Sequence, residues 1–376
     1  MKIIVSKSSL EDCVKNLVKV INPKSELPIL GNILFVVNEK AKTAHLTASD
    51  SEVTVTYEVI LSECEGGGTF CVRATTLAAM LANVREQPLT ITATLESDMK
   101  FTLTYLDGSA FCPIQTADEY PPFMQGEYKE KIITTGEFVR DALKRSLWAT
   151  TDDELRPVMN GVNFALNNGR LDIVASDGHT LVKSSKAEQV APNRCGSFVM
   201  PKKAAKVLTD ILEDEDWFEM EWNEREAHFN LTGSEFSFRL IEGKYPDYNS
   251  VIPKSYADEA TCQRTELLSA LKAVAPFTPD SSQLMTLTFE PDRLEVRGED
   301  VAFTEGAVKS ISIDGYDGDT MSIGVKASNI IKMLQKLSYN EVLLKLNDPS
   351  RAIIIEPLDD TSNEITGMIM PMIIND

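Results

Sequence analysis

The sequence predicts an α+β fold: three tandem copies of one domain, each with antiparallel strands and two helices collected on one face. Three observations carry this expectation. Residues at i, i+3, i+4, i+7 and i+8 recur as Leu10, Cys13, Val14, Leu17 and Val18, then as Val139, Ala142, Leu143, Ser146 and Leu147, then as Leu267, Ala270, Leu271, Val274 and Ala275. That spacing is one buried helix face. The copies are displaced by 129 and 257 residues, a period too long for a solenoid unit and right for a small domain. Around these helices Val, Ile, Thr and Phe alternate with polar residues, as in Leu171-Asp172-Ile173-Val174 and Phe229-Asn230-Leu231-Thr232, the pattern of half-buried strands.

The elements follow in order. Lys2-Ile3-Ile4 opens the first copy and Lys131-Ile132-Ile133 the second, each a short strand leading into the helix. Pro28-Ile29-Leu30-Gly31 with Ile33-Leu34-Phe35 answers Val158-Met159-Asn160-Gly161 with Val162 and Phe164; the third version, Leu284 to Phe289, has lost the glycine. Leu46 to Asp50 answers Ile173 to Asp177, and in the third copy Val296 to Asp300 keeps only the aspartate. These read as strands ending in a turn. A second helix is anchored by Val72, Leu77, Met80 and Leu81, then Met200, Ala205, Leu208 and Thr209, then Val325, Ile330, Met333 and Leu334. Gly108 to Pro121 matches Gly233 to Pro246 without a gap; five identities in 14 positions agree with the register set elsewhere. Each copy therefore reads strand, helix, strand, strand, helix, then several strands. Polar, turn-rich breaks near Gln125-Gly126 and Pro253-Lys254 give domains 1–126, 127–254 and 255–376.

At 43% hydrophobic and 25% charged residues, the chain has ample material for a soluble core. No apolar run approaches the ~18 residues of a membrane span. Met1 to Leu10 lacks the apolar stretch of a signal peptide, so a cytoplasmic protein is expected. The six cysteines (13, 64, 71, 112, 195, 262) form no C-x-x-C pair and are expected as reduced, mostly buried thiols. The three histidines (45, 179, 228) lie at no metal-ligand spacing to one another. No metal and no cofactor is expected.

The net charge of −20 argues against a surface that coats itself with nucleic acid. The positive charge is nevertheless concentrated. The six expected helices, 10–21, 75–85, 138–148, 202–212, 266–275 and 326–337, carry 13 Lys and Arg against five Asp and Glu, net +8, which leaves the remainder at −28. Such helices on one side of each domain suggest a curved wall with a positive inner surface. Two chains would close it into a ring by cyclic symmetry. Contacts to phosphate alone hold duplex DNA without reading its sequence and so permit sliding.

An enzyme is the rival class. Asp177 and His179 could serve as a base and its orienter, and Glu213-Asp214-Glu215-Asp216 could hold a metal. Against this, the sequence has no nucleophile motif, no G-x-x-x-x-G-K-[ST] and no G-x-G-x-x-G. The acidic run lacks the interleaved glycine of a calcium loop. In the first copy Glu52 stands where the second has His179. No catalysis is expected.

Leu27-Pro28-Ile29-Leu30-Gly31-Asn32, Ala175-Ser176-Asp177-Gly178-His179, Lys244-Tyr245-Pro246-Asp247-Tyr248 and Met370-Pro371-Met372 resemble the bacterial DNA polymerase sliding clamps, the β subunits of the polymerase III holoenzyme. The resemblance covers the whole chain in order, and the four motifs together are specific. It implies three tandem DNA-clamp domains, with antiparallel sheets outside and two helices per domain inside, in a head-to-tail homodimeric ring around duplex DNA. It implies loading by an ATP-driven clamp loader complex, tethering of the replicative polymerase catalytic subunit, and recruitment of other polymerases and mismatch-repair proteins, with no membrane partner. It also implies a groove for short peptides containing Gln and apolar or aromatic residues, formed here by Met159, Ser176, Gly178, His179, Leu181, Pro246, Val251, Met370, Pro371 and Met372. DNA-facing positions carried over are Lys24, Arg73, Lys202, Lys203, Lys206, Lys326, Lys332 and Lys336. Ring-contact positions are Phe277 and Thr278 on one side and Phe111 on the other. The chain departs from the family at Thr180, where Arg is common, and in its ending, Ile373-Ile374-Asn375-Asp376.

Overall fold

The structure is a computed structural model that describes all residues except 23, 97, 123–125, 189–194, 214–216, 359–363 and 375–376. Gln125 of the first expected boundary, residues 214–216 of the acidic run and Asn375-Asp376 therefore lie outside the described residues.

The first copy runs β1 (Lys2–Ser6), α1 (Lys7–Val20), β2 (Asn32–Asn38), β3 (Thr43–Ser49), β4 (Val53–Ile60), β5 (Glu63–Glu65), β6 (Gly68–Arg73), α2 (Ala74–Leu81), β7 (Pro88–Thr94), β8 (Lys100–Tyr105) and β9 (Gly108–Gln115). The second runs β10 (Glu130–Thr135), α3 (Gly136–Ser146), β11 (Gly161–Asn167), β12 (Arg170–Ser176), β13 (Thr180–Ala187), β14 (Cys195–Pro201), α4 (Lys202–Ile211), β15 (Trp217–Trp222), β16 (Glu226–Leu231) and β17 (Ser234–Arg239). The third runs β18 (Asp258–Gln263), α5 (Arg264–Val274), β19 (Leu284–Glu290), β20 (Arg293–Asp300), β21 (Glu305–Ser312), β22 (Met321–Lys326), α6 (Ala327–Lys336), β23 (Glu341–Leu346), β24 (Ile353–Pro357) and β25 (Glu364–Ile369).

The α+β expectation is met, with six α-helices among the described residues. The strand count between helices is corrected. Two strands were expected there; the first copy has five and the others four each among the described residues. Among the missed strands, β4 carries Thr54 and Thr56, whose hydroxyls pair with those of the expected strand β3 instead of marking a polar loop. Ser49 and Thr54 share a hydrogen bond of 2.8 Å, and Thr47 and Thr56 one of 2.9 Å.

Helix ends also move by a few residues, for local reasons. Helix α1 starts at Lys7 because the Ser6 hydroxyl accepts from Ser9 N–H at 3.2 Å, satisfying one of the free donors of a helix start. Helix α2 stops at Leu81, where Val84 N–H turns back to the Leu81 carbonyl at 3.2 Å. Helix α5 starts at Arg264, whose Nε donates to Tyr339 O at 2.6 Å and whose Nη1 donates to Leu334 O at 3.1 Å. A cation thus answers carbonyls at and beyond the C-terminal end of α6.

The predicted faces are mostly buried, but the expected second-helix anchors Val72, Met200 and Val325 lie on β6, β14 and β22 just before those helices, and Cys13, Val18, Leu147 and Ala275 are only half-buried. Leu10, Val14 and Leu17, then Val139, Ala142, Leu143 and Ser146, then Leu267, Ala270, Leu271 and Val274 are all buried. So are Leu77 and Leu81, Ala205 and Leu208, and Ile330, Met333 and Leu334 in the second helices. Phe35, Phe70 and Phe101 form an aromatic cluster under the first copy.

The chain forms two compact units, Met1–Arg140 with Lys203–Leu240, and Asp141–Lys202 with Ile241–Asp376. In the first, strands follow one another in the order β10-β15-β16-β17-β4-β3-β2-β6-β9-β8-β7-β1-β5. The link between copies is the antiparallel pair β17 to β4, with Phe236 opposite Val55 and Phe238 opposite Val53. The second unit holds the order β14-β11-β12-β13-β25-β24-β23-β18 and a separate sheet β21-β20-β19-β22. Its link is β13 to β25, with Thr180 opposite Ile369 and Leu181 opposite Met368. Strand pairing therefore runs across the repeats, and the second copy contributes to both units.

Candidate functional site

The link between β13 and β25 places five chain segments around one cavity. Strand β12 ends at Ser176, and the chain reverses through Asp177-Gly178-His179 into β13. The Asp177 carboxylate closes this turn. Its Oδ1 accepts from His179 N–H at 2.8 Å, Thr180 N–H at 2.6 Å and the Thr180 hydroxyl at 2.9 Å. Gly178 takes φ +91°, and a Cβ there would sit 3.0 Å from Arg156 Nη1, so both conformation and space favour glycine. Arg156 braces the outside of the turn: Nη1 donates to Asp177 O at 3.2 Å while Nε donates to Asp153 at 2.9 Å. Thr180, at the start of β13, is fully buried.

Beside the turn lies the segment carrying Tyr245, Pro246 and Val251, with Met368 and Met370 of the chain end opposite. Met370 N–H donates to His179 O at 2.8 Å, which ties the chain end to the same turn. Together with Met159, Leu181 and Arg351 these residues line a groove of about 540 Å³. Its walls are mainly Met, Pro, Tyr and aliphatic side chains, an adaptable apolar surface. Burial pushes the Tyr245 hydroxyl up to about 12, so it stays neutral within the groove wall at any physiological pH.

Seven of the ten expected groove residues line this cavity: Met159, Ser176, Gly178, Leu181, Pro246, Val251 and Met370. His179 is exposed at the turn and holds Met370 through its carbonyl. Pro371 and Met372 line a different, larger cavity of about 1210 Å³ over the outward face of β19, β20 and β22. The cause is local. Met372 N–H donates to Gly324 O at 2.8 Å, which pulls the chain away along β22; a Cβ on Gly324 would meet Met372 O at 2.5 Å. Tyr245, Tyr248, Ile252 and Met368 are groove residues that sequence reasoning did not name. Met368 was within reach: it lies two positions before Met370, the spacing of one strand face.

The basic positions divide into two groups. Lys24, Arg73, Lys206, Lys326, Lys332 and Lys336 are exposed, and none has an ion-pair partner among the described residues. Arg73 sits at the N-cap of α2 and Lys326 at that of α6. Lys202 and Lys203 are already engaged. Lys202 Nζ donates to Asp152 at 2.7 Å. Lys203 pairs with the Asp50 carboxylate and donates to Val20 O at 2.8 Å.

Of the three ring-contact positions, Phe111 on β9 is 66% exposed, with Lys100 Nζ 4.1 Å from its ring centroid. Strand β9 pairs with β8 along its length but with β6 only at Ile114 and Gln115, leaving one edge open near Phe111. Phe277 is partly exposed. Thr278 is only 7% exposed, and its hydroxyl donates to Ala275 O at 2.8 Å, so a single chain already buries it. Strand β21 ends its sheet, with exposed Val308 on it and exposed Phe303 before it.

Three family models match the chain in tandem: the N-terminal domain of the DNA polymerase III beta subunit over residues 1–124, its central domain over 134–247 and its C-terminal domain over 249–373. The chain belongs to the DNA polymerase III beta subunit family. A beta sliding clamp of Haemophilus influenzae is 24% identical over 383 residues, covering 99% of this chain and all of that protein. One from Bacillus subtilis is 24% identical over 392 residues, covering 99% of each. Among solved structures, a Pseudomonas aeruginosa sliding clamp bound to griselimycin superposes with TM-score 0.93 at 21% identity over the full length of both chains. The Bacillus subtilis clamp gives 0.90 at 20% identity, again over both full lengths. These likenesses establish the fold as three tandem clamp domains. The role of the DNA polymerase III beta subunit family is that of a sliding clamp, a ring that encircles DNA and makes synthesis processive.

Proposed function

We propose that two of these chains close head to tail into a ring around duplex DNA, with no catalysis of their own, in the cytoplasm. Each would contribute three domains, bounded at 1–126, 127–254 and 255–376. The ring would be opened by an ATP-driven clamp loader and would tether the replicative polymerase catalytic subunit. Other polymerases and mismatch-repair proteins would compete for the same groove. The groove of about 540 Å³ carries the recruitment reading. It is apolar, bordered by Met370 at 40% exposure and Val251 at 53%, and suits a short peptide with Leu and Phe side chains and one polar anchor.

For the ring, the support is chemical. Six exposed cations without ion-pair partners among the described residues, Lys24, Arg73, Lys206, Lys326, Lys332 and Lys336, lie in a chain of net charge −20. They would touch phosphates without reading bases. Phe111 and Phe277 offer aromatic anchors for the contact between chains, close to the open edge of β9 in one case.

The deciding experiment mixes the protein with nicked circular or linear DNA, loader and ATP, followed by gel filtration. Retention on the circle and loss from linear ends is the expected result. Equal retention on both would refute enclosure.

A further inference from the structure

We propose that Asp172 is a positioning residue of the groove: its buried carboxylate anchors the Tyr248 hydroxyl and thereby fixes the segment that forms one groove wall. The inference rests on the peptide-groove reading above.

Asp172 lies in the middle of β12, 7% exposed. It is four residues before the groove residue Ser176, about 13 Å along a strand. It therefore does not touch an occupant itself. Its Oδ1 accepts from Ser185 Oγ at 2.5 Å, directly across the ladder. Its Oδ2 accepts from Tyr248 OH at 2.8 Å, and Lys183 Nζ lies 3.7 Å from the same oxygen. Lys183 Nζ is also 5.9 Å from the Tyr248 ring centroid. Tyr248 packs with Tyr245, Leu181 and Met368 in one apolar cluster and lines the groove.

The segment around Tyr248 has little regular structure of its own. It is one short turn, Tyr248–Ser250, closed by Asp247, which accepts from Asn249 N–H at 3.2 Å through its carboxylate and from Ser250 Oγ at 2.7 Å through its carbonyl. A wall of this kind would wander without an anchor from the sheet, and an occupant would have to order it on binding. Anchoring beforehand removes that cost.

Stability alone does not call for a charge here. A buried carboxylate is unfavourable relative to an apolar residue of similar volume unless pairing and hydrogen bonds offset its desolvation. Asp172 has two hydroxyl donors and one ammonium, enough to be tolerated. What the arrangement adds over a leucine is direction: it holds one hydroxyl, and therefore one ring, in one place.

The test measures binding of a fluorescein-labelled pentapeptide, with one Gln, two Leu and a terminal Phe, to the full-length protein by anisotropy, with urea melts in parallel. The variants are Tyr248→Phe, Asp172→Leu, the double variant and Met370→Ala. Tyr248→Phe and Asp172→Leu are each expected to weaken binding ~5-fold to 10-fold, from part of one charge-assisted hydrogen bond. The double variant should bind no more weakly than the weaker single variant, and it should melt below the parent, because Lys183 and Ser185 also lose their Asp172 partner. A double variant that regains parental affinity, or a Tyr248→Phe variant that binds as the parent does, would overturn the anchoring role. Met370→Ala separates the two levels. If it binds as tightly as the parent, the groove reading fails; if it alone loses binding, only the role of Asp172 falls.

Discussion

The ammonium of Lys203, in the first turn of α4, pairs with the Asp50 carboxylate at the end of β3 and donates to the Val20 carbonyl at the end of α1. Asp50 is nearly enclosed, and its other oxygen accepts from Glu52 N–H at 3.0 Å and Val53 N–H at 2.7 Å. Lys203 is therefore a structural tie before it is a free cation.

Lys203→Ala should accordingly cost about 1 kcal/mol of stability and leave the salt dependence of DNA retention almost unchanged. Lys206→Ala or Lys332→Ala should do the reverse. Removing a cation that neutralises one phosphate should reduce the log–log salt slope by about 0.9. Urea melts and retention on circular DNA across a salt series give both numbers. A slope change for Lys203→Ala as large as for Lys206→Ala would contradict this assignment.

Met370 and Met372 are two residues apart but line different cavities. Met370→Ala should weaken binding of a polymerase-derived peptide by about tenfold, the order expected for truncating an apolar anchor. Met372→Ala should change it less than about twofold, within the range of near-neutral contacts. Isothermal titration with each variant decides, and sedimentation should show both still dimeric.

Phe111 and Thr278 should separate in the same way at the contact between chains. Phe111→Ala removes an exposed aromatic and should raise the dimer dissociation constant by about tenfold or more. Thr278→Ala removes a hydroxyl already satisfied within its own chain, so it should alter melting more than association. Sedimentation equilibrium over a concentration series reads the first, and urea melts the second.

The buried thiols make stability fall in alkali. Burial pushes Cys13 and Cys71 up to about 11 and Cys262 up to about 12, from 9.0. A folded-state value above the unfolded one means that the unfolded chain loses the proton first. This contribution is thus complete below pH 9 and disappears as pH rises through 11 to 12. The hydroxyls of Tyr128 and Tyr245, held up to about 12 mainly by burial, act in the same direction. Urea midpoints should decline from about pH 9 upward, less steeply in Cys262→Ala. At about pH 8, iodoacetamide should modify exposed Cys195 first, with Cys71, Cys112 and Cys262 protected by burial.

Periodicity made the helices legible because a buried helix face repeats locally: Leu10, Val14 and Leu17 identify themselves within two turns. The Asp177 turn was legible for the same reason, since its hydrogen bonds reach only three residues. What escaped depends on partners far away in sequence. Lys203 finds Asp50 across 153 residues and Tyr248 finds Asp172 across 76. Nothing beside Lys203 distinguishes it from Lys206. Pro371 and Met372 are groove positions by the family resemblance, but a hydrogen bond from Met372 to Gly324 sets them on a different cavity. Strand β4 was missed because its Thr54 and Thr56 are polar by composition yet satisfied by Ser49 and Thr47 of the expected neighbouring strand.

The pairings of β4 with β17 and of β13 with β25 also bear on ancestry and modularity. The repeat is the unit that was copied, but it is no longer a unit that can be exchanged. Cut free as residues 127–254, the second copy would lose a neighbour at both β17 and β13, leaving two bare ladder edges open to promiscuous pairing. The three copies are therefore tied to one another through shared ladders, and the boundary of a copy is not a boundary of stability.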